Sequence, residues 1–291
     1  MQSTIPGPDP DTRKPRFRPP ALACDAHCHV FGPGSRFPYA KDATYIPPDS
    51  PFEALQRLHS ILGIERAVIV HASCHGADMR ATLDAIARSN GRYRGTAIID
   101  ETYGEREFQR MHDGGIRAVR FNFVKHLGGR PDMAFFQRTI DRVKAMGWHL
   151  ILHLDANDLV EFDALFKRIP VPMVIDHMGR VNAKAGLEQP AFRVLLEWMK
   201  HDKFWVKVCG AERVSSEGPP FTDAVPFARR LIEAAPDRIL WGTDWPHPNV
   251  KWMPNDGDLM DLFAQMAPEP ALQQKILVHN PARLYGWNVA S

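Results

Sequence analysis

The sequence has few cysteines and none of the spacings that mark a cysteine framework. Its 291 residues contain four, at positions 24, 28, 74 and 209, and no two of them form a C-x-x-C pair. Three of the four lie in predicted strands or just past one, so buried reduced thiols are favoured over disulfides. We expect buried, reduced thiols.

The chain also has little charge of one sign and no long apolar run. Lys and Arg number 36 against 34 Asp and Glu, a net charge of +2. This balance offers neither a basic face for nucleic acid nor an acidic tail, so we expect a small-molecule partner. Residues 1–20 are rich in Pro and Arg but lack the apolar region of a signal peptide, and no later stretch approaches a membrane-spanning length. We expect no membrane partner and a cytoplasmic location.

A glycine-rich phosphate loop is missing as well, and its absence helps to choose between two classes of fold. Apolar runs rich in β-branched residues alternate with amphipathic patterns, which is typical of a parallel sheet built from βα units. The runs are 22–29, 65–71, 94–99, 116–123, 148–154, 171–177, 204–209 and 238–243, and the helical patterns include 52–62, 79–89, 134–146, 159–169 and 192–200. A doubly wound open sheet would carry a G-x-G-x-x-G loop after its first strand, and residues 31–34 lack that spacing. We predict a single (β/α)8 TIM barrel over residues 21–291, preceded by an extension over residues 1–20.

What the sequence does contain is a polar side chain at the end of each predicted strand. In chain order these are His27 and His29; His71, Ser73 and His75; Asp100; Arg120 and Asn122; His153 and Asp155; Asp176 and His177; Lys207, with Arg213 nearby; and Asp244. In a barrel of this type the loops that follow the strands gather around one mouth. The sequence therefore predicts an active site that draws on several strands at once.

The histidines and one aspartate suggest metal or proton-transfer chemistry. His27 and His29 alternate along a strand and so project to the same face. Together with His153, His177 and Asp244 they offer a ligand set that suits a borderline divalent ion such as Zn²⁺. With or without a metal, Asp244 is the natural base for a hydrolytic water.

Two arginines indicate the charge of the substrate. The planar guanidinium groups of Arg120 and Arg213 match carboxylate or sulfonate groups in a bidentate way. Arg120 lies between Val119 and Phe121 in a predicted strand, where an exposed surface charge is not expected. The substrate should be a small anion.

Five segments carry a resemblance to the 2-pyrone-4,6-dicarboxylate lactonases of the amidohydrolase superfamily, amidohydrolase-2 branch. They are Asp25 to Pro33, Ser73 to Gly76, Val119 to Phe123, Ile175 to Arg180 and Trp241 to Asn249, and the similarity runs from about Lys14 to Trp287. The resemblance implies a barrel enzyme that opens a small anionic lactone with water. It implies that Asp244 activates the water while His27, His29 and His177 polarise the ring carbonyl. It also implies that substrate acid groups are held by Tyr45, Ser73, Arg120 and Arg213, and we count His75 as a further candidate substrate-binding residue.

Three positions depart from the lactonase pattern. His126 stands where those enzymes carry a second carboxylate-binding arginine, His153 where they carry a tyrosine, and His71 where a glutamine is usual. We count His126 as a candidate substrate-binding residue in an altered acid pocket. Such a pocket suits either the pyrone dicarboxylate or 4-sulfomuconolactone, the substrate of related hydrolases. The resembled lactonases work without a metal, but His153 restores a strand-five ligand, so we predict a divalent ion, Zn²⁺ foremost, at His27, His29, His153 and Asp244.

The same residues are compatible with two other functions. A zinc-dependent, non-hydrolytic decarboxylase of an unsaturated acid would use His27, His29, His153 and Asp244 as well, and its product would be carbon dioxide instead of a ring-opened acid. A barrel that only binds an acidic ligand is disfavoured because every water-activating position is present. The identity of the lactone, the role of His71 and the oligomeric state are not fixed by the sequence.

Overall fold

A computed structural model describes residues 3–288, and its centre is one sheet of eight parallel strands. The strands are β1 (Cys24–Cys28), β2 (Arg66–Val70), β3 (Tyr93–Ala97), β4 (Ile116–Asn122), β5 (His149–His153), β6 (Met173–Ile175), β7 (Phe204–Lys207) and β8 (Ile239–Leu240). They pair in sequence order, each with the next. All eight predicted strands are present, within a few residues of their expected bounds.

The barrel closes between β1 and the residues that follow β8. The Ala26 amide donates to the Trp241 carbonyl oxygen at 2.8 Å, and the Asp244 amide donates to the His27 carbonyl oxygen at 2.7 Å. Gly242 permits this approach, because a Cβ there would lie 2.4 Å from the His27 amide nitrogen. Closure leaves no free sheet edge and confirms the (β/α)8 barrel over the open sheet.

Residues 3–288 contain twelve α-helices in addition to the strands. They are α1 (Phe52–Leu62), α2 (Arg80–Arg88), α3 (Glu105–Asp113), α4 (Met133–Ala145), α5 (Ala156–Glu161), α6 (Asp163–Phe166), α7 (Pro190–Trp198), α8 (Ala211–Val214), α9 (Val225–Ala234), α10 (Asp256–Met266), α11 (Pro270–Gln274) and α12 (Asn280–Tyr285). The predicted helix over residues 159–169 is two short helices, because the backbone leaves helical geometry at Phe162. The other predicted helices agree with the structure within about two residues.

The core has an inner and an outer layer. Inside the barrel small and branched side chains fill the interior, among them Ala26, Val68, Ala118, Ile151 and Val174. Outside it, the apolar faces of the helices pack on the other faces of the strands. The helix α1 is an example: its buried residues recur at helical spacing, and Gly63 ends it with φ +77°.

Two further expectations can be compared with the structure. All four cysteines are free and buried, which confirms the prediction of reduced thiols. Between residues 3 and 288, none of the helices is both long enough and apolar enough to span a membrane.

Candidate active site

The polar strand ends meet at a small cavity at the carboxyl end of the barrel. His153 is the last residue of β5, while His29, His177 and Asp244 lie in the first residues beyond β1, β6 and β8. The side chains that line the cavity are His29, Tyr45, Ser73, Arg120, His126, Leu127, His153, His177, Arg213, Asp244, Pro248 and Asn249. Loops from distant parts of the chain thus build one pocket, as the strand ends predict.

Asp244 occupies the centre of this site and contacts partners on both carboxylate oxygens. Its Oδ1 lies 3.4 Å from His27 Nε2, 3.2 Å from His29 Nε2 and 3.9 Å from His177 Nε2. Arg213 approaches Oδ2 with two nitrogens, Nε at 2.7 Å and Nη2 at 2.6 Å. Burial alone would raise the pKa of Asp244, but Arg213 and the surrounding histidines hold it well below its usual range. Asp244 is therefore an ionised carboxylate at neutral pH.

A hydrogen bond to the Val70 carbonyl oxygen fixes the tautomer of His29 and so the chemical state of the nitrogen that faces Asp244. His29 Nδ1 lies 2.7 Å from the Val70 carbonyl oxygen, which can only accept, so Nδ1 carries a hydrogen. In neutral imidazole, Nε2 then bears a lone pair directed at the Asp244 Oδ1, 3.2 Å away. Two acceptors at that distance repel unless a cation lies between them, either a proton on Nε2 or a metal ion.

Asp176 organises a second group of charges below the cavity. Its carboxylate lies 3.1 Å from Lys207 Nζ, 2.9 Å from Arg120 Nε and 3.3 Å from His27 Nδ1. Burial raises the pKa of Asp176, and Lys207, His27 and Arg120 together lower it well below its ordinary value. Burial and the nearby Lys207 ammonium lower the pKa of His27 to about 4. His27 is thus neutral at pH 7, held between two aspartates.

A left-handed stretch of backbone places His177. Residues His177, Met178, Gly179 and Arg180 all have φ between +50° and +65°. Opposite them, Gly210 also has a positive φ, and a Cβ there would lie 2.6 Å from His177 Nδ1. His177 thus depends on the absence of a side chain at position 210. Burial lowers its pKa well below the ordinary value, even though the nearby Asp244 carboxylate favours protonation.

His153 lies across the cavity from this cluster with one nitrogen unused. Its Nδ1 pairs with the Asn122 side-chain oxygen at 3.1 Å, while Nε2 is buried without a partner. The ring faces His177 at a centroid distance of 5.4 Å. Burial and Arg120 lower the pKa of His153 well below its ordinary value. A neutral imidazole with a free Nε2 lone pair can accept a hydrogen bond from substrate or bind a metal ion.

The structure brings together part of the predicted metal set. His27, His29 and Asp244 each present a ligand atom within 4.8 Å of the others, and all three are buried. His153 lies outside that compact group. Two imidazole nitrogens and a carboxylate oxygen are donors that zinc accepts, so the chemistry of this group fits the ion.

The predicted substrate-binding residues separate into two sets. Tyr45, Ser73, His126, Arg120 and Arg213 line the cavity. Burial raises the pKa of Tyr45, so its phenol stays protonated and can donate to an anion. His75 lies outside the lining: its Nε2 accepts from the Gly32 amide and its Nδ1 donates to the Pro38 carbonyl oxygen, both at 3.3 Å. A role for His75 in binding substrate stays a prediction.

Both ring nitrogens of His71 likewise form hydrogen bonds within the protein. Its Nδ1 pairs with the Thr82 hydroxyl at 2.8 Å, and its Nε2 pairs with the Gly76 carbonyl oxygen at 3.0 Å. Both partners belong to the loop and helix that follow β2, and His71 is absent from the cavity lining. His71 therefore stabilises the loop after β2.

Sequence reasoning recorded Asp176, Lys207 and Asn122 as strand-end residues without giving them a place in the site. It also passed over Glu212, which is buried beside Arg213 at 3.5 Å and belongs with Asp244 and His247 to a second compact group. Burial raises the pKa of Glu212. A buried charge in a strand, as at Lys207, is the signal that points to such residues, because it requires a buried partner of opposite sign.

Comparisons with known proteins agree with this geometry. The amidohydrolase family profile matches residues 24–287. A 2-pyrone-4,6-dicarboxylate hydrolase of Comamonas testosteroni is 45% identical over 282 residues, covering 94% of this chain and 92% of that protein. A 4-sulfomuconolactone hydrolase of Hydrogenophaga intermedia is 41% identical over 284 residues, covering 96% and 94%.

Solved structures share the architecture. A protein from Pseudomonas putida is 30% identical with a TM-score of 0.81, covering 92% of this chain and 99% of that one. An amidohydrolase of Burkholderia multivorans with bound zinc shares the fold, at 17% identity and a TM-score of 0.72, covering 91% of this chain and 99% of that one. The family profile, the relatives and the arrangement of histidines around Asp244 lead to one conclusion: the chain belongs to the amidohydrolase family.

Proposed function

We propose that this protein is a hydrolase that opens a small lactone carrying two acidic groups, of the 4-sulfomuconolactone or 2-pyrone-4,6-dicarboxylate type, in bacterial-type aromatic catabolism. The observation that carries the proposal is the convergence of three histidines on one oxygen of an ionised, buried Asp244. The names of relatives that are 41–45% identical over nearly the whole chain support hydrolysis of such lactones.

Asp244 is the base in this proposal. Its carboxylate binds a water molecule, orients one lone pair of the water oxygen toward the lactone carbonyl, and accepts a proton as the new C–O bond forms. The ring C–O bond then breaks, and the leaving oxygen takes up a proton. Arg213 keeps Asp244 ionised, so the carboxylate acts through its position against the bound water more than through high basicity.

The histidines stabilise the oxygen on which negative charge develops. His27, His29 and His177 surround Oδ1 of Asp244, so a carbonyl oxygen placed next to the attacked carbon lies close to them. A positive charge that is already fixed in a buried site stabilises an oxyanion without reorganising, which is a large contribution to hydrolysis. Here that charge would be a proton on His29 Nε2 or a divalent ion beside Asp244.

Four charged or polar residues that line the cavity would hold the substrate anions. Arg120 has its Nε on Asp176 and lies on the cavity surface, where its remaining nitrogens can bind a carboxylate or sulfonate. Tyr45 and Ser73 present hydroxyl groups. Arg213 donates through Nη2 to Asp244 and to the Pro248 carbonyl oxygen, and it lines the cavity, so it can contact a substrate anion while still touching the base.

A divalent ion is part of the proposal, with His27, His29 and Asp244 as its holders and His153 as an additional ligand. When bound, the ion would supply Lewis-acid polarisation of the carbonyl or of the water. The zinc found in a protein of the same fold supports this choice. The His153→Tyr variant tests the fourth ligand: we expect less bound metal by elemental analysis and lower activity. Full activity of metal-free, exhaustively chelated protein would show that His153 serves the substrate instead.

Decarboxylation of an unsaturated acid would use the same residues, but the names of the relatives support hydrolysis and lend no support to decarboxylation.

The deciding experiment gives purified protein either 2-pyrone-4,6-dicarboxylate or 4-sulfomuconolactone and measures the ring-opened acid and released carbon dioxide. We expect ring opening without carbon dioxide, and its loss in Asp244→Asn. The matched control is Asp141→Asn, an exposed aspartate on α4. Carbon dioxide as the product would overturn the proposal.

A further inference from the structure

The N-terminal segment in front of β1 is fastened to the barrel at its base. Asp261 on α10 accepts hydrogen bonds from the amides of Arg16 and Phe17, both at 2.8 Å. The Arg13 guanidinium pairs with Asp258 and, at 2.8 Å, with Asp261. This end of the segment is therefore held by charge-assisted hydrogen bonds, which are stronger than neutral ones.

Its outer end is bonded to the loop that carries Tyr45. The Thr4 amide donates to the Ile46 carbonyl oxygen at 2.8 Å, and the Ile46 amide donates back to the Thr4 hydroxyl at 2.9 Å. The Ser3 hydroxyl donates to the same carbonyl at 3.0 Å. Both backbone polar groups of Ile46, the residue next to Tyr45, are thus paired with the N-terminal segment.

Apolar contacts follow the same route. Ile5 packs against a small cluster that contains Phe31, Tyr45 and Cys74, with Leu127 at its edge. Tyr45 and Leu127 also line the substrate cavity. Ile5 therefore belongs to the same apolar cluster as two residues that line the cavity.

The loop itself has little regular structure to hold it. Residues 38–49 contain neither helix nor strand, in contrast to the strand ends that carry His27 and Asp244. Segments of this kind open at low free energy unless other contacts restrain them. The bonds from Thr4 and the packing of Ile5 supply such a restraint.

We propose that residues 3–7 are a positioning segment for substrate binding, which holds residues 38–49 so that the Tyr45 phenol faces the cavity. The inference rests on the proposed function, in which Tyr45 binds an acid group of the substrate. Residues 3–7 act through Tyr45 and do not touch the reacting atoms. Their loss should therefore weaken substrate binding and leave the chemical step near Asp244 almost unchanged.

The test deletes residues 2–7 and keeps the anchor at residues 13–17. We expect faster amide hydrogen exchange in residues 38–49. The KM for the hydrolysed lactone should rise about fivefold or more, because at least one net hydrogen bond is lost. The kcat should stay within about twofold of wild type. The point variants Thr4→Val and Ile5→Ser should give smaller shifts in the same direction. The matched control for Ile5→Ser is Ile61→Ser, an exposed isoleucine on α1.

A double-mutant cycle with Tyr45→Phe separates positioning from general loosening. If the segment acts through Tyr45, the deletion should raise KM much less in the Tyr45→Phe background than in wild type. Equal effects in both backgrounds, unchanged exchange of residues 38–49, or faster exchange with unchanged KM would each overturn the inference. Should wild type hydrolyse no acidic lactone, the proposed function fails, and calorimetric binding of the pyrone dicarboxylate then takes the place of KM beside the exchange measurement.

Discussion

The cavity has a floor of buried charged residues at the strand ends and a wall of residues on loops, and the two differ in burial and in the number of their polar contacts. The floor consists of strand-end residues that are almost completely buried, such as His27, Asp176, Lys207 and Asp244. Each of them contacts at least two other polar or charged groups. The wall consists of loop residues, among them Ser73 and His126 in 3₁₀ turns, and His126 is exposed.

This contrast shows where substitutions can accumulate. Changing one member of the floor leaves an opposite charge buried and unpaired, which is strongly destabilising. A wall residue such as His126 can change without that cost. The difference at position 126 from the resembled lactonases therefore lies where specificity can vary while the chemistry stays the same.

The largest expected effect is on the floor, at the base. Asp244→Asn keeps the size of the side chain but removes the proton acceptor, so we expect kcat to fall by at least about 10²-fold with the fold retained. Steady-state kinetics and circular dichroism measure the two parts. A variant with more than about a tenth of wild-type kcat would falsify the assignment of Asp244 as the base.

Removing a charge from the cluster around Asp176 should lower the stability of the protein more than its activity. Lys207→Met leaves Asp176 with fewer partners in a fully buried position, so we expect a loss of about 3–5 kcal/mol in the free energy of unfolding. Urea unfolding measures it, with Lys251→Met, an exposed lysine, as the control. An unchanged urea midpoint would mean that Lys207 does not hold the floor together.

Arg120 and Arg213 both line the cavity, and each also contacts a buried aspartate of the floor. Arg120→Ala and Arg213→Ala should each cost about 2–5 kcal/mol in kcat/KM for a dianionic lactone. Because Arg213 contacts the base, its loss should lower kcat as well, whereas loss of Arg120 should act mainly on KM. The exposed Arg193 provides the Arg193→Ala control. If both variants change only kcat, the arginines do not bind the substrate anions.

The buried histidines predict a pH dependence of stability. Burial lowers the pKa of His27 to about 4 and that of His71 to about 3, so each takes up its proton more readily in the unfolded chain. Their contribution is complete above the ordinary histidine pKa of about 6.5 and is lost as the pH falls toward these values, at roughly 1 kcal/mol per pH unit for each. Urea midpoints between pH 8 and pH 4 measure this slope. His71→Gln should make it shallower, and an unaltered slope would contradict a buried neutral His71.

The smallest effect is expected at the wall. His126→Arg restores the guanidinium that the resembled lactonases carry, so the ratio of kcat/KM values should shift toward the pyrone dicarboxylate and away from 4-sulfomuconolactone. Wild type should prefer an acidic lactone other than the pyrone. If wild type already prefers the pyrone and the variant gains nothing, position 126 does not set specificity.

The pattern of apolar and polar residues was enough to predict the barrel and most of the candidate residues. Apolar runs separated by amphipathic patterns were sufficient to place eight strands, because burial of these runs on both faces favours a parallel sheet. The same alternation put His27 and His29 on one face. The expected cytoplasmic location and the division at residue 20 stay predictions.

Only the tertiary structure decided how those residues interact. His27 and Asp244 are 217 residues apart in the sequence, and their contact depends on closure of the barrel at Gly242. The role of Asp176 as the shared partner of Lys207, Arg120 and His27 arises from three different strands. The exclusion of His75 from the cavity and the pairing of Thr4 with Ile46 depend on loop paths, which local propensities do not fix because loops are held by contacts distant in sequence.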